Sequence, residues 1–233
     1  MSQDQVFLHS ESDRYFQRNA AALAADEMIA GDPILKILAD AGVRPTCALE
    51  VGAANGYRLG ALQRLTGCRA VAVEPSAAAI ADGRRRFPQV QFVQALAHEL
   101  SGFAAGEFDL VIASFVLHWV DRIRLFETAA ALDRVLADGG HFILSDFLPE
   151  RPQRVRYHHR PDADLWTYKQ DYASFWTASA LYQSRGRWLF DHHTRQLSET
   201  VPPEDRCAVT LFRKELGSYP AAELPQSIGV AKQ

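Results

Sequence analysis

The clearest chemical signal lies in CALEVGAANGYRLGAL, residues 47–62. An apolar run meets the acid Glu50, and Gly52, Ala54 and Gly56 follow before a helix-like segment. Residues with little or no side chain let a ligand approach the backbone closely. A dinucleotide is a poor fit, because its fingerprint needs a third glycine where Tyr57 stands, and a pyrophosphate gains nothing from a neighbouring acid. A nucleotide-phosphate loop fails too, since no Gly-Lys-Ser/Thr follows. An acid beside such a loop suits a cationic ligand. Further along, His118 follows the apolar run FDLVIAS and Asp146 ends HFILSDF. Imidazoles as a class titrate near neutrality, so His118 at a ligand-binding edge is a candidate general base. The plainer alternative is a histidine packed beside Trp119. Asp146 is a candidate to orient an acceptor or to cap the next turn. His158, His159, His192 and His193 form two adjacent pairs. Neighbouring side chains diverge on a regular element and no acid stands at ligand spacing, so no metal site is expected.

These residues need a scaffold that brings them to one edge. In PILKILADAG, Pro33 starts a helix, Ile34, Ile37, Leu38 and Ala41 recur at helical spacing, and Gly42 stops it. CALEV, RAVAVEP, VQFV, FDLVIAS and HFILSDF read as five strands, with helices between them. Ser76 is placed to cap one helix, and the helix DRIRLFETAAALDRVLADGG is predicted to stop at Gly139-Gly140. WLFDHHT and CAVTLFRKE read as a final antiparallel strand pair. Alternating strands and helices demand an α/β fold with a mostly parallel sheet and helices on both faces. Ligands of such a sheet bind beyond the carboxyl ends of its strands, where the loop after CALEV lies.

With that order in view, the chain resembles the class I S-adenosylmethionine-dependent methyltransferases. Their first motif, an acid followed by G-x-G-x-G after strand one, is read here as Glu50, Gly52, Ala54 and Gly56, with alanine for the central glycine. The resemblance covers residues 32–147 and implies a Rossmann-like seven-stranded sheet whose last strand is antiparallel. It also implies S-adenosyl-L-methionine as cofactor, and puts Glu74, at the end of strand two before Pro75, on both ribose hydroxyls. A carboxylate accepts two coplanar hydrogen bonds and suits a vicinal diol. Where the family often has an acid for the adenine, this chain has Leu96, which leaves the contact to the Ala97 backbone or to His98. Ser114, in the strand-four match, completes the expected cofactor set with Tyr15 and Arg18 of an N-terminal lid. More loosely, YFQRN, YHHR and YKQDY resemble a bacterial subgroup of small-molecule and cell-surface-sugar methyltransferases.

Five regions are expected: a helical lid over 1–31, the cofactor-binding core over 32–147, an aromatic-rich helical cap over 148–187, the final strand pair over 188–216 and an irregular tail over 217–233. The cap is expected to bind the acceptor through Tyr157, His158, Arg160, Tyr168, Lys169 and Tyr172, together with His118 and Trp119. His158, Arg160 and Lys169 are candidates to meet a phosphate or carboxylate, or simply to be solvated. Tyr168, Tyr172, Phe175 and Trp176 share one face if the segment is helical.

Composition narrows the partners. The chain has 233 residues, 48% hydrophobic and 23% charged, and a formal charge of −3, a balance that predicts neither nucleic acid nor an anionic membrane as partner. The three cysteines, Cys47, Cys68 and Cys207, are scattered, which argues against a disulfide framework. The opening MSQDQVFLHSESD lacks the pattern of a signal peptide, so a cytoplasmic protein, monomeric or homodimeric, is expected. The expected activity is methyl transfer to an oxygen or nitrogen of a small polar acceptor, such as a sugar, a nucleotide sugar or another metabolite. A non-catalytic S-adenosylmethionine-binding subunit is the alternative.

Overall fold

A computed structural model describes residues 2–24 and 26–219. The expected tail therefore lies outside the described residues from position 220 onward.

The core is a seven-stranded sheet. Its strands are β1 (Cys47–Val51), β2 (Arg69–Glu74), β3 (Gln91–Gln94), β4 (Phe108–Ser114), β5 (Leu136–Phe147), β8 (Tyr182–Asp191) and β9 (Arg206–Lys214), in the spatial order β3-β2-β1-β4-β5-β9-β8. Six strands run parallel and β9 runs against them, slotted between β5 and β8. The order reverses between β1 and β4, and this opens a crevice at their carboxyl ends.

Both faces of the central strands are covered, which is why CALEV and FDLVIAS read as nearly continuous apolar runs. On one face Ala48, Ile112 and Ile143 meet α4 (Pro33–Asp40), α5 (Tyr57–Thr66) and α6 (Ala77–Arg86). On the other, Leu49, Val111 and Phe142 meet α7 (Leu125–Val135). Asp32 caps α4 by accepting from the Ile34 and Leu35 N–H groups, at 2.9 and 3.0 Å, with Pro33 in the first turn. Ser76 caps α6 through the Ala79 N–H, at 3.0 Å.

Two expectations fail locally. The helix α7 ends at Val135 rather than at Gly139-Gly140, and β5 begins at once with Leu136. Lys214 of β9 donates to the carbonyls of Asp133 (2.7 Å) and Leu136 (3.2 Å), so this junction is fixed by a distant lysine. The segment 148–187 is also not a helical cap. It holds the antiparallel hairpin of β6 (Gln153–Arg156) and β7 (Trp166–Lys169), and one turn of helix, α8 (Ser174–Thr177), while β8 starts at Tyr182. The aromatics at helical spacing are shared among a strand, a loop and that single turn. Four-residue strands are too short to show a period of two against the aromatic spacing around them.

The N-terminal region is helical: α1 (Gln3–Val6), a π turn (Phe7–Glu11), α2 (Ser12–Ala24) and α3 (Asp26–Ala30). It is sewn onto the rest by polar contacts. The Gln3 amide donates to the carbonyls of Trp119 (2.7 Å) and Trp166 (2.9 Å) and accepts from the Trp166 N–H (3.0 Å). Asp13 accepts from the Ser76 hydroxyl and the Ala78 N–H at the start of α6. No described helix is long and apolar enough to cross a membrane.

Candidate active site

A cavity of about 610 Å³ opens above the carboxyl ends of the strands, roofed by the N-terminal helices and the β6–β7 hairpin. That volume falls within the usual range for a small-molecule site.

At one end the loop after β1 wraps a buried carboxylate. Ala54 has φ 49°, a left-handed conformation that a residue with a β-carbon adopts only at a cost of roughly 1–2 kcal/mol. It is held there by Glu74, whose Oε2 accepts from the Ala54 N–H at 2.8 Å while Oε1 accepts from the Ser76 N–H at 2.9 Å. Burial pushes the Glu74 carboxyl up to about 7, against the pull of those two N–H groups. Gly52 (φ 64°) lines the cavity, and a β-carbon there would collide with Val116. Gly56 (φ 72°) serves differently from the close ligand approach expected: it lies outside the lining, and a β-carbon would stand 2.7 Å from Phe92.

Glu50 is buried and paired with Arg58, which also grips Asp32 through Nε and Nη2 at 2.9–3.2 Å. Burial first, then the charge of Asp32, raises the Glu50 carboxyl to about 7 even though Arg58 opposes both. Its Oε2 is buried with no hydrogen-bond partner among the described residues. An unmatched carboxylate oxygen at a cavity wall suits an ammonium donor. Glu74, with two oxygens already aligned by the backbone and lone pairs to spare, suits a vicinal diol. Both features fit S-adenosylmethionine.

At the other end stands a buried pair. His118 Nδ1 lies 2.9 Å from Asp146 Oδ1, and Asp146 also accepts from the backbone N–H groups of His118 and Phe147. A carboxylate acceptor places the imidazole proton on Nδ1 and leaves the Nε2 lone pair available. The His118 ring packs against Trp119 and Phe147, with centroids 4.6 and 5.0 Å away. Asp146 sits behind the imidazole, outside the lining. The β6–β7 hairpin is pinned alongside by the Tyr168 N–H, which donates to the His118 carbonyl at 2.9 Å.

Most of the expected site residues meet at this cavity: Glu50, Gly52, Ala54, Glu74, Pro75, Leu96, Ala97, Ser114 and Tyr15 at one end and over the top, and His118, Trp119, Tyr157, His158 and Lys169 at the other. Four do not. Arg18 pairs with Glu11 and donates to the Tyr157 hydroxyl, and Arg160, beside Asp162, also reaches Glu11 at 3.7 Å, so both fasten the roof. Tyr172 is 1% exposed in the core. Its hydroxyl donates to the Tyr168 carbonyl, and the Arg122 guanidinium lies over both rings, which draws Tyr168 away from the cavity as well. The lining also includes residues that sequence reasoning missed: Asp4, Phe7, Phe147, Thr167, His192 and Arg195. Thr167 had one available signal, because strand alternation puts it on one face with Lys169. Arg195, from the β8–β9 turn, reaches Asp32 at 3.5 Å and had none.

Residues 49–144 match a family model described as a methyltransferase domain. The chain is 31% identical over 154 residues to an uncharacterized methyltransferase of Synechocystis sp., a match covering 65% of this chain and 61% of that relative. Among solved structures it is similar to the 1,6-didemethyltoxoflavin-N1-methyltransferase of Burkholderia thailandensis, with bound 1,6-didemethyltoxoflavin and S-adenosylhomocysteine. The TM-score is 0.64 and the identity 19%, over 88% of this chain and 87% of that one. It is also similar to the N-methyltransferase NodS of Bradyrhizobium japonicum in complex with S-adenosylhomocysteine. Here the TM-score is 0.59 and the identity 17%, over 87% and 98% of the two chains.

Proposed function

We propose that this chain, whose residues 49–144 are a methyltransferase domain with S-adenosyl-L-methionine as its cofactor, methylates an oxygen or nitrogen of a small polar acceptor. The observation that carries this reading is the continuity of one cavity between two different ends. Glu50 and Glu74 stand at one end and the His118–Asp146 pair at the other.

Glu74 would hold the ribose hydroxyls and Glu50 Oε2 the cofactor's ammonium. Bound there, the cofactor supplies an activated methyl group on a sulfonium. The protein's own part is to bind, orient and exclude water, and positioning of this kind contributes about 7–11 kcal/mol in favourable intramolecular models. His118 Nε2 is placed to take the proton of an acceptor hydroxyl or ammonium. Asp146 is a positioning residue that fixes the tautomer. The roof of α2 and the β6–β7 hairpin leaves room for a small acceptor, in keeping with the small molecule named for the Burkholderia enzyme.

Calorimetric titration with S-adenosylhomocysteine and with NAD, followed by methyl-transfer assays against sugars, nucleotide sugars and amines, tests the proposal. Binding of S-adenosylhomocysteine but not NAD, with turnover of a small acceptor, is expected. NAD binding alone would overturn the cofactor assignment, and binding without turnover of any acceptor would favour a regulatory subunit.

A further inference from the structure

We infer that the acceptor carries an anionic group, a carboxylate or a phosphate, that docks on Lys169 beside the His118–Asp146 pair. This deepens the methyltransferase reading and rests on it.

The acceptor end of the cavity is built around the ring of Phe147. The His118 and His192 rings pack on it with centroids 5.0 and 4.9 Å away, and Lys169 Nζ stands 4.0 Å from its centroid. Of the three described lysines, Lys36 and Lys214 each pair with an aspartate, at 2.7 and 2.9 Å. Lys169 has the aromatic ring and no carboxylate within 4.0 Å among the described residues. Its three N–H donors face a half-buried space, where an unpaired ammonium gives up part of its hydration.

The lining carboxylates stand elsewhere. Glu50 and Glu74 stand at the carboxyl ends of β1 and β2, and Asp4 accepts from the Asp121 N–H at 2.9 Å. Asp146, the acid of the His118–Asp146 pair, is used by three hydrogen bonds and lies outside the cavity lining. His192 does not stand in as a second cation, since burial holds its imidazole below the ordinary value, helped by His193, Lys169 and His118. Of the other lining cations near the roof, Arg156 faces Asp164 at 3.7 Å and Arg195 faces Asp32 at 3.5 Å. Lys169 is therefore the fixed charge beside Phe147 with no carboxylate partner among the described residues, and an anion is the group that pairs it. Because one phenyl ring separates Lys169 from His118, the anionic group and the nucleophilic atom belong to the same small molecule, a few bonds apart. A sugar acid or a sugar phosphate has this form.

The test uses the full chain saturated with S-adenosylhomocysteine. Glucuronate, glucose 6-phosphate and glucose are titrated into the wild type and into Lys169→Met, which keeps most of the aliphatic length but loses the ammonium and its charge. At least one charged probe should bind the wild type about tenfold or more tighter than glucose, as expected for a hydrogen bond between charged groups. Whether that probe is the glucuronate or the phosphate identifies the anion. Lys169→Met should erase the preference while leaving the affinity for S-adenosylhomocysteine within about twofold. Equal binding of glucose, no charge-dependent binding by either probe, or a preference that survives in the variant would overturn the inference. A loss of cofactor affinity in Lys169→Met would also overturn it, by assigning the lysine to the cofactor. If the wild type does not bind S-adenosylhomocysteine at all, the methyltransferase reading falls first and this inference falls with it.

Discussion

Glu50 is a carboxylate that folding forces to share Arg58 with Asp32, leaving one oxygen unmatched. Its folded value of about 7 lies above the ordinary 4.5, so between those values the folded chain keeps a proton that the unfolded chain has released. Stability therefore falls as pH rises through this window and stays reduced above about 7. Glu50→Gln keeps an acceptor for Arg58 and removes the titration. Without cofactor, the variant should gain on the wild type by roughly 1–3 kcal/mol between pH 5 and pH 8, measured by chemical denaturation. Parallel curves would refute this. Glu74→Ala should weaken S-adenosylhomocysteine binding by roughly 2–4 kcal/mol, because two charge-assisted bonds and the support of Ala54 disappear together. An unchanged dissociation constant would remove Glu74 from the cofactor site. His118→Ala should lower kcat by about 10²–10⁴-fold with little change in cofactor affinity. Asp146→Asn should do the same more mildly, and near-normal turnover in either variant would mark the pair as packing.

Among the elements, those at the proposed cofactor end of the cavity are the most legible. Glu50, Gly52 and Glu74 sit at strand ends in the sequence and in the structure, because buried parallel strands announce themselves as short apolar runs. The β6–β7 hairpin was illegible, since QRVR and WTYK are too brief to display alternation and the aromatics after them happen to fall at helical spacing. Tyr172 shows the consequence. Read as a contact for the acceptor, it is instead a fully buried ring that anchors the segment to Arg122. Tyr172→Ala should cost about 3–5 kcal/mol in stability, the usual range for deleting a large buried aromatic, and not raise the acceptor KM selectively. A stable variant with a raised KM would restore the earlier assignment.

At the scale of the whole molecule, the cavity is closed by pieces distant in sequence. One side chain, Gln3, ties the first helix to Trp119 after β4 and to Trp166 at the start of β7. Opening the roof must break those three bonds together. Gln3→Ala should therefore speed S-adenosylhomocysteine release several-fold while leaving global stability nearly unchanged, because a typical hydrogen bond contributes only about 1 kcal/mol net. Stopped-flow displacement measures the first quantity and thermal unfolding the second. An unaltered release rate would mean that the cofactor leaves by another route.

The position of β9 between β5 and β8 also bears on how the molecule is made. Asp146 lies on β5 directly opposite Ala208 of β9, yet that partner strand is the last of the sheet to leave the ribosome. Domains generally assemble from the N-terminal side as synthesis proceeds. The loops after β1 and β2, the proposed cofactor end, can thus take shape while β5 still presents an unpaired edge, the kind of edge that invites adhesion to other chains. During that interval a nascent chain has the makings of a cofactor site before its acceptor side is secured. Arrest of synthesis just before residue 206 should therefore yield chains prone to aggregation, whereas arrest some tens of residues beyond 214, with β9 clear of the exit tunnel, should not.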